Sequence, residues 1–567
     1  MDGSGAIDDR DRRRPWWREL EVGLLILLVV GIYFSRLTDL SIRGEESRRG
    51  LIAREMIETG DWIIPHQQGE LYLTKPPMHN WAIGLFGMVR GGVDTAAVRL
   101  PSVVATLLTT LLVYGYARTF LSRLGALAAG AAYATMGQVL ELGRLGETDA
   151  LFTLLVSSSL LIWHWGWLRR WPAGSVWVFG YVLAALAVLV KGPQALLYFA
   201  GSAGVFLLVG RQGRCLLSWS HLAGLLAFGA VVGGWLVPLS LYLNQVGWDV
   251  VGGIWTGRTD LVFADRRILT TLWDLVTYPV EILLGCLLPW SVLLIPYFNS
   301  GFRRRIGPAR GHVLFLFICI AVAFPMCWLV PGTQTRYYMP LYPCFAVLIG
   351  LVIERGCEAG PAEPLRALWK WFRLVLGALM PLGAVVVLAA VWLDPGESAL
   401  AQPVGFGAVY AIASAITLAT LWGSRAGRTL RQCQAGVLAI AAFVGLTYSG
   451  VVINARMNTS QDVAGAVARL KAELEDRMAP GQRLVSFGSA HHLFAYHYRD
   501  PIERHDWPRE PGDVREDVVY FCFVSHHQPG PLPFEWETVA VVSCDRNRQP
   551  EPQCKVIVGR RISLSAP

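Results

Sequence analysis

The sequence predicts an α-helical polytopic membrane protein that ends in an exported α/β domain. Three observations carry this. Hydrophobic residues make up 53% of the 567-residue chain and charged residues only 16%, with a mean hydropathy of +0.42. Apolar runs long enough to cross a bilayer recur as far as Val452. The basic residues alternate between the loops that join those runs. Soluble proteins carry about 25% charge, so this composition excludes disorder, a secreted disulfide mini-domain and an ordinary cytosolic enzyme. The net charge of +8 points to nucleic acid, to anionic lipid or to membrane orientation. The placement of the charges decides among them.

The first span runs from Leu20 to Phe34. It follows Arg10, Arg12, Arg13, Arg14 and Arg18, with Trp16 and Trp17 at the expected interface. No small-residue cleavage site precedes Arg43, so it reads as an uncleaved span rather than a signal peptide. Further runs cover Val98–Tyr116, Leu124–Leu140, Ala150–Trp167, Val176–Val190, Ala195–Val209 and Leu222–Leu243. Others cover Val280–Tyr297, Val313–Val330, Met339–Ile353, Leu374–Trp392, Val404–Trp422 and Ala435–Val452. The expectation is about 13 spans.

With the N-terminus in the cytoplasm, alternate loops collect Arg118 and Arg123, Arg169 and Arg170, Arg211 and Arg214, Arg303–Arg305 with Arg310, Arg355 to Arg373, and Arg425 to Arg431. The short opposite loops hold only Arg144, Lys191 and Arg336. This is the positive-inside pattern. It implies an odd number of spans and an exported C-terminus. No basic face with aromatic or helical reading motifs is present, so no nucleic-acid partner is expected.

Residues 1–453 therefore read as a transmembrane domain with two long exported loops, 37–97 and 244–279. Residues 454–567 read as a soluble exported α/β domain, with a charged helix-like stretch at Asp462–Met478 and strand-like runs at Arg483–Phe487, Val518–Val524 and Thr538–Ser543. Cys544 and Cys554 lie in this tail, and either pair in an oxidising compartment or stay buried thiols. No Walker, Rossmann or zinc-finger pattern occurs.

The candidate chemistry lies on the exported side. In the first loop, Glu45 and Glu46 open a segment whose Leu51, Ile52 and Met56 suit an amphipathic helix on the membrane surface. Lys75 follows, stiffened by Pro76 and Pro77. Interfacial packing with solvated charges explains that loop equally well. Asp149 starts a span, where an acid is costly and tends to be functional, although Thr148 or Asp149 capping a helix is an equal alternative. Lys191, Arg258 and Arg336 are cations on a side that a positive-inside protein avoids. Snorkelling explains any one of them. Several on one face suit a phosphate, which arginine holds bidentately. Carboxylates beside a cation-held phosphate can take a proton from an acceptor hydroxyl while the cations stabilise the departing phosphate. A polyprenyl-phosphate sugar fits, because its leaving group is already activated.

The motifs Glu45-Glu-Ser-Arg48, Ala53-Arg-Glu-Met56, Gly60-Asp-Trp62 through Pro65, Lys75-Pro-Pro77, Thr148-Asp-Ala150, Lys191-Gly-Pro193 and Tyr337-Tyr-Met-Pro340 occur in this order within the first 355 residues. In this the chain resembles the GT-C glycosyltransferases, in particular the bacterial relatives of protein O-mannosyltransferases and the lipid A aminoarabinose transferases. The resemblance implies a GT-C-like membrane fold and transfer of a sugar from a polyprenyl-phosphate donor to a lipid, protein or envelope-glycan acceptor, in a bacterial inner membrane. It implies that Glu45 stands where relatives carry a catalytic Asp, one methylene longer, with Glu46 beside it and Asp149 as the second acid. It further implies Lys75, Tyr72, Arg258 and Tyr337 around the donor phosphate, and the exported-side cation Arg336 is read with them. Some relatives have a Glu before Lys-Pro-Pro and a His in the later loop. Thr74 stands in the first place, and Ile254–Arg258 has no His, so no metal site and no cofactor are expected. His79, His491 and His492 form no ligand spacing, and the His pair reads as an exposed or packed pair in the tail. The competing reading is a lipid or sugar transporter. The charged clusters lie at span ends rather than mid-span in broken helices, which disfavours it.

Overall fold

A computed structural model of the chain describes residues 15–246, 268–329, 333–360, 363–393, 430–527, 530–547 and 553–562. Among them, seven helices are long and apolar enough to cross a membrane: Thr95–Ala117, Thr148–Leu168, Ala173–Lys191, Trp219–Gln245, Gly307–Trp328, Thr335–Glu358 and Arg431–Met457. Leu20–Phe34 and Gln194–Val209 are shorter apolar helices. The chain is a helical membrane protein.

Two apolar runs are not single helices. The run 124–140 breaks into Arg123–Ala134 and Gly137–Leu142. Thr135 leaves the helix there, and its hydroxyl accepts a hydrogen bond from Trp290 Nε1 at 3.0 Å. The run 280–297 divides into a wide turn, Glu281–Cys286, that continues the helix Ile268–Val280, and a 3-10 helix, Trp290–Phe298. Pro289 stands at that break and Pro296 inside the second piece, and neither offers an N–H to an α-helical ladder. The run Val404–Trp422 lies outside the described residues.

The chain divides into two compact units: Met1–Leu37, Leu73–His79 and Pro101–Asn454 form the first, and Thr38–Tyr72, Asn80–Leu100 and Ala455–Pro567 the second. In the first unit, Glu19 is buried and receives Arg118 Nη2 at 2.9 Å, with the Tyr114 hydroxyl on the same carboxylate. Gly350 faces the Gly125 carbonyl so closely that a Cβ has no room. Small residues let membrane helices approach in this way.

The second unit differs from the expected boundary at residue 453. Most of the first long loop belongs with the tail. The reason is a shared apolar core: Ile42, Leu51, Ala53, Ile83, Val93 and Val98 pack in one cluster with Val463, Val467, Leu470, Leu474 and Phe494. The helix Val463–Arg477 buries four of these on one stripe at i, i+4, i+7 and i+11. Asp462 starts it by accepting the Gly465 N–H at 2.9 Å.

Among the described residues, seven short strands occur here: β1 (His66–Gln67), β2 (Glu70–Leu71), β3 (Val485–Phe487), β4 (Glu503–His505), β5 (Tyr520–Val524), β6 (Trp536–Ser543) and β7 (Lys555–Arg561). β1 and β2 form a small antiparallel ribbon. The others form one mixed sheet in the order β4-β3-β5-β7-β6. β5 is central, and all five of its residues, Tyr-Phe-Cys-Phe-Val, are buried, as a strand covered on both faces requires. Cys544 and Cys554 are free thiols, joined through the Cys544 N–H and the Cys554 carbonyl at 2.8 Å.

Candidate functional site

In the first unit the candidate site is built on three helix ends. Thr148–Leu168 begins with Asp149 in its first turn. Neither Thr148 nor Asp149 caps that helix. The N-cap is Glu147, and no side-chain capping bond is made. The Asp149 carboxylate, 2% exposed, instead receives Lys191 Nζ at 2.5 Å. Arg336 Nη1 approaches its second oxygen at 3.8 Å.

Lys191 is the last residue of Ala173–Lys191. An anion at a helix start and a cation at a helix end each complement the local peptide dipoles. The motif Lys191-Gly-Pro193 now has a local cause. Gly192 sits at φ 117°, ψ −176°, where only glycine is comfortable, and this stops the helix so that the lysine is its final residue. The ammonium also lies 4.3 Å from the Tyr337 ring centre and 5.5 Å from that of Phe152. Tyr337 and Arg336 come from the 3-10 helix Thr335–Leu341, and the Tyr337 carbonyl accepts the Tyr198 hydroxyl at 2.8 Å. Arg336 Nε is buried without a hydrogen-bond partner. The result is a buried carboxylate flanked by two cations and an aromatic face.

Lys75 lies in the half-buried stretch before the helix Met78–Arg90. Arg144, one of the isolated cations, donates to the Ser35 carbonyl at 3.0 Å, at the end of the first apolar helix. Arg258 lies outside the described residues.

The second unit holds Glu45, Glu46 and Tyr72. Glu45 is the first residue of the helix Glu45–Thr59. Its side chain is 37% exposed and pairs with Arg48 at 3.1 Å. Glu46 is different. It is fully buried, and Arg99 grips both oxygens at 2.8 and 2.9 Å. Arg99 also donates to the carbonyls of Leu40 and Ser41. Glu46 thus stands in a structural ion pair and not on an open surface. Tyr72 is buried, its hydroxyl unpartnered, with the Arg48 guanidinium 5.9 Å from its ring centre.

Sequence reasoning passed over Arg99 and left Lys191 without a partner. Arg99 was legible as a charge inside the apolar run 98–116. The Asp149–Lys191 pairing had no sequence signal, because the two residues belong to different helices.

Residues 74–236 match the family Dolichyl-phosphate-mannose-protein mannosyltransferase. The undecaprenyl phosphate-α-4-amino-4-deoxy-L-arabinose arabinosyl transferase of Edwardsiella ictaluri is 28% identical over 355 residues, 61% of this chain and 61% of that protein. Its counterpart from Pseudomonas aeruginosa (strain UCBPP-PA14) is 28% identical over 63% of this chain and 62% of its own. The alignments thus span about three fifths of the curated relatives' length. The crystal structure of ArnT from Cupriavidus metallidurans bound to undecaprenyl phosphate superposes with a TM-score of 0.70 at 17% identity, covering 96% of this chain and 99% of that one. That match defines the fold. In sequence and in fold, the chain resembles GT-C glycosyltransferases of the lipid A aminoarabinose-transferase type.

Proposed function

We propose that this chain transfers a sugar from a polyprenyl-phosphate donor to an acceptor hydroxyl on the exported side of a bacterial inner membrane. The observation that carries the reading is Asp149, buried between Lys191 and Arg336, with the Lys191 ammonium over the Tyr337 ring. The similarity to aminoarabinose transferases supports it and makes undecaprenyl phosphate-α-4-amino-4-deoxy-L-arabinose the first donor to try. In this reading about 13 spans carry the chain across the bilayer, with the N-terminus cytoplasmic and the loops and the α/β tail outside.

The chemistry needs no nucleotide. The bond between the sugar's anomeric carbon and the phosphate oxygen breaks, and polyprenyl phosphate leaves with that electron pair. The acceptor oxygen forms the new glycosidic bond and gives its proton to a carboxylate. Glu45 is the proposed base. Glu46, engaged by Arg99, supports the turn that bears it. Lys75, Arg258, Tyr72, Tyr337 and Arg336 hold the phosphate, where fixed cations stabilise the charge that develops. Asp149 keeps Lys191 and Arg336 in place. The acceptor is a lipid, a protein or an envelope glycan.

The test uses purified full-length protein in sealed lipid vesicles, with that aminoarabinose donor and, separately, a polyprenyl-phosphate mannose. Release of polyprenyl phosphate that is lost in Asp149→Asn is the expected result. Lys75→Ala and Arg258→Ala should each impair donor use. Movement of intact donor across the bilayer without cleavage would turn the assignment to a transporter.

A further inference from the structure

The turn that bears Glu45 is held in an unusual way. Gly44 is the N-cap of the helix Glu45–Thr59, at φ 56°, ψ −136°, and it has no side chain with which to cap. Two other groups pin the turn. On one side the Glu46 carboxylate accepts the Arg43 N–H at 3.2 Å while Arg99 holds it. On the other side the buried Ser47 hydroxyl donates to the Gly44 carbonyl at 3.2 Å and lies 2.7 Å from His492 Nδ1. Ser47 has one hydroxyl proton. If the carbonyl takes it, the imidazole donates through Nδ1–H, and a relay runs from His492 through Ser47 to the carbonyl of Gly44. The peptide bond at that carbonyl leads into Glu45.

We propose that His492 is a positioning residue for Glu45, acting through Ser47 and the Gly44 carbonyl. This rests on the reading of Glu45 as the base. His492 opens the helix His492–Tyr498 of the C-terminal segment, so the tail helps to aim the first-loop carboxylate.

The local electrostatics fit the role. Arg48 pairs with Glu45, and it also acts on His492, where it opposes a positive charge. Burial, the stacked ring of His491 and Arg48 together push the imidazole down to about 2. His492 is therefore neutral at working pH. It orients the turn without competing with Arg48 for the Glu45 carboxylate. Separate ties hold the same loop further along: Arg54 Nη2 donates to the Tyr496 carbonyl at 3.3 Å, Gln68 Nε2 to the Ala490 carbonyl at 3.0 Å, and Ser489 Oγ to Glu70 at 2.9 Å. Loss of the imidazole alone therefore leaves the unit folded and loosens only the turn.

The test has two readouts on the full-length protein. The first is amide hydrogen exchange across residues 43–56. His492→Ala should speed exchange at the start of that helix, and His492→Asn, whose amide can donate near the place of Nδ1–H, should restore protection. Unchanged exchange in His492→Ala, or no recovery in His492→Asn, overturns the proposal. The second is release of polyprenyl phosphate from the aminoarabinose donor. Misplacing a reacting group by about 1 Å can cost about 100-fold in rate, so His492→Ala should lower kcat about 10- to 100-fold, with donor KM little changed. The same substitution in a Glu45→Gln background should cost little more. An equal loss in both backgrounds shows that His492 does not act through Glu45. A wild-type protein that turns over no donor defeats the functional reading, whereas a His492→Ala protein with the wild-type kcat defeats only the positioning role.

Discussion

Lys191 Nζ stands 2.5 Å from Asp149 Oδ1, the ammonium at the end of one helix and the carboxylate at the start of another. Both side chains are almost wholly buried, at 3% and 1% exposure. A buried pair of this kind is weak evidence for stability, because its attraction largely repays desolvation. Its value is geometric: it holds two charges and the Tyr337 face in one arrangement.

Breaking the pair should therefore hurt more than replacing it. Lys191→Met alone takes the ammonium away from a buried carboxylate, and should destabilise the first unit by about 3–5 kcal/mol. Lys191→Met with Asp149→Leu should regain much of that stability while remaining inactive. Thermal unfolding in detergent, beside the release assay, reads both. A double variant no more stable than Lys191→Met would contradict this account.

The Glu46–Arg99 pair predicts a different pattern. Arg99 spends its guanidinium on two carboxylate oxygens and two carbonyls. Lysine cannot reproduce that fork. Arg99→Lys should be nearly as damaging as Arg99→Ala, with a loss of about 3–5 kcal/mol in the second unit. Limited proteolysis between residues 38 and 72 measures it. Wild-type resistance in Arg99→Lys would mean that charge alone suffices.

Gly192 offers a test free of crowding. A Cβ there meets nothing within 4 Å, yet φ is 117°. Gly192→Ala should cost about 1–3 kcal/mol through backbone strain alone, and should lower activity by moving Lys191. Gly174 also has open space around its Cβ, but no positive φ. Gly174→Ala should be silent in the same melting and release assays, and equal losses in the two variants would remove the backbone explanation.

The tail should lose stability in mild acid. His492 is pushed down to about 2, and burial with Arg499 and Arg54 nearby, opposed by Asp462, pushes His497 down to about 4. Unfolded histidine titrates near 6.5. Between those values the unfolded chain binds the extra protons, so stability rises with pH. The histidine contribution is complete above about 6.5 and falls away as pH drops toward about 4, continuing toward about 2 for His492. Hydrogen exchange in β5, corrected for intrinsic rates, should show more frequent opening at about pH 5 than at about pH 7.5. Equal opening at both would mean that these rings are not held neutral.

Much of the helical framework was legible from hydropathy. The runs 98–116, 150–167 and 176–190 fall within Thr95–Ala117, Thr148–Leu168 and Ala173–Lys191, because an apolar stretch of that length has few other ways to satisfy its backbone in lipid. The breaks at Thr135 and Pro289 were less visible. The apolar composition continues through both, and only a side-chain partner such as Trp290 or a missing N–H interrupts the helix. Asp149, Lys191 and Arg336 could each be singled out as charges at span ends. Their meeting could not, since nothing local links residue 149 to residue 191 or 336.

Composition and the spacing of apolar runs alone were enough to commit this chain to the membrane, because burial follows apolar area and needs no knowledge of partners. Pairing required the folded chain. Glu45 and Glu46 are adjacent and chemically alike, yet one is part-exposed beside Arg48 and the other is sealed by Arg99. The first long loop likewise shares its core with a tail that begins at Ala455. Such contacts join residues distant in sequence through side-chain shape and charge, and neither periodicity nor composition encodes which of two like residues will meet the distant partner.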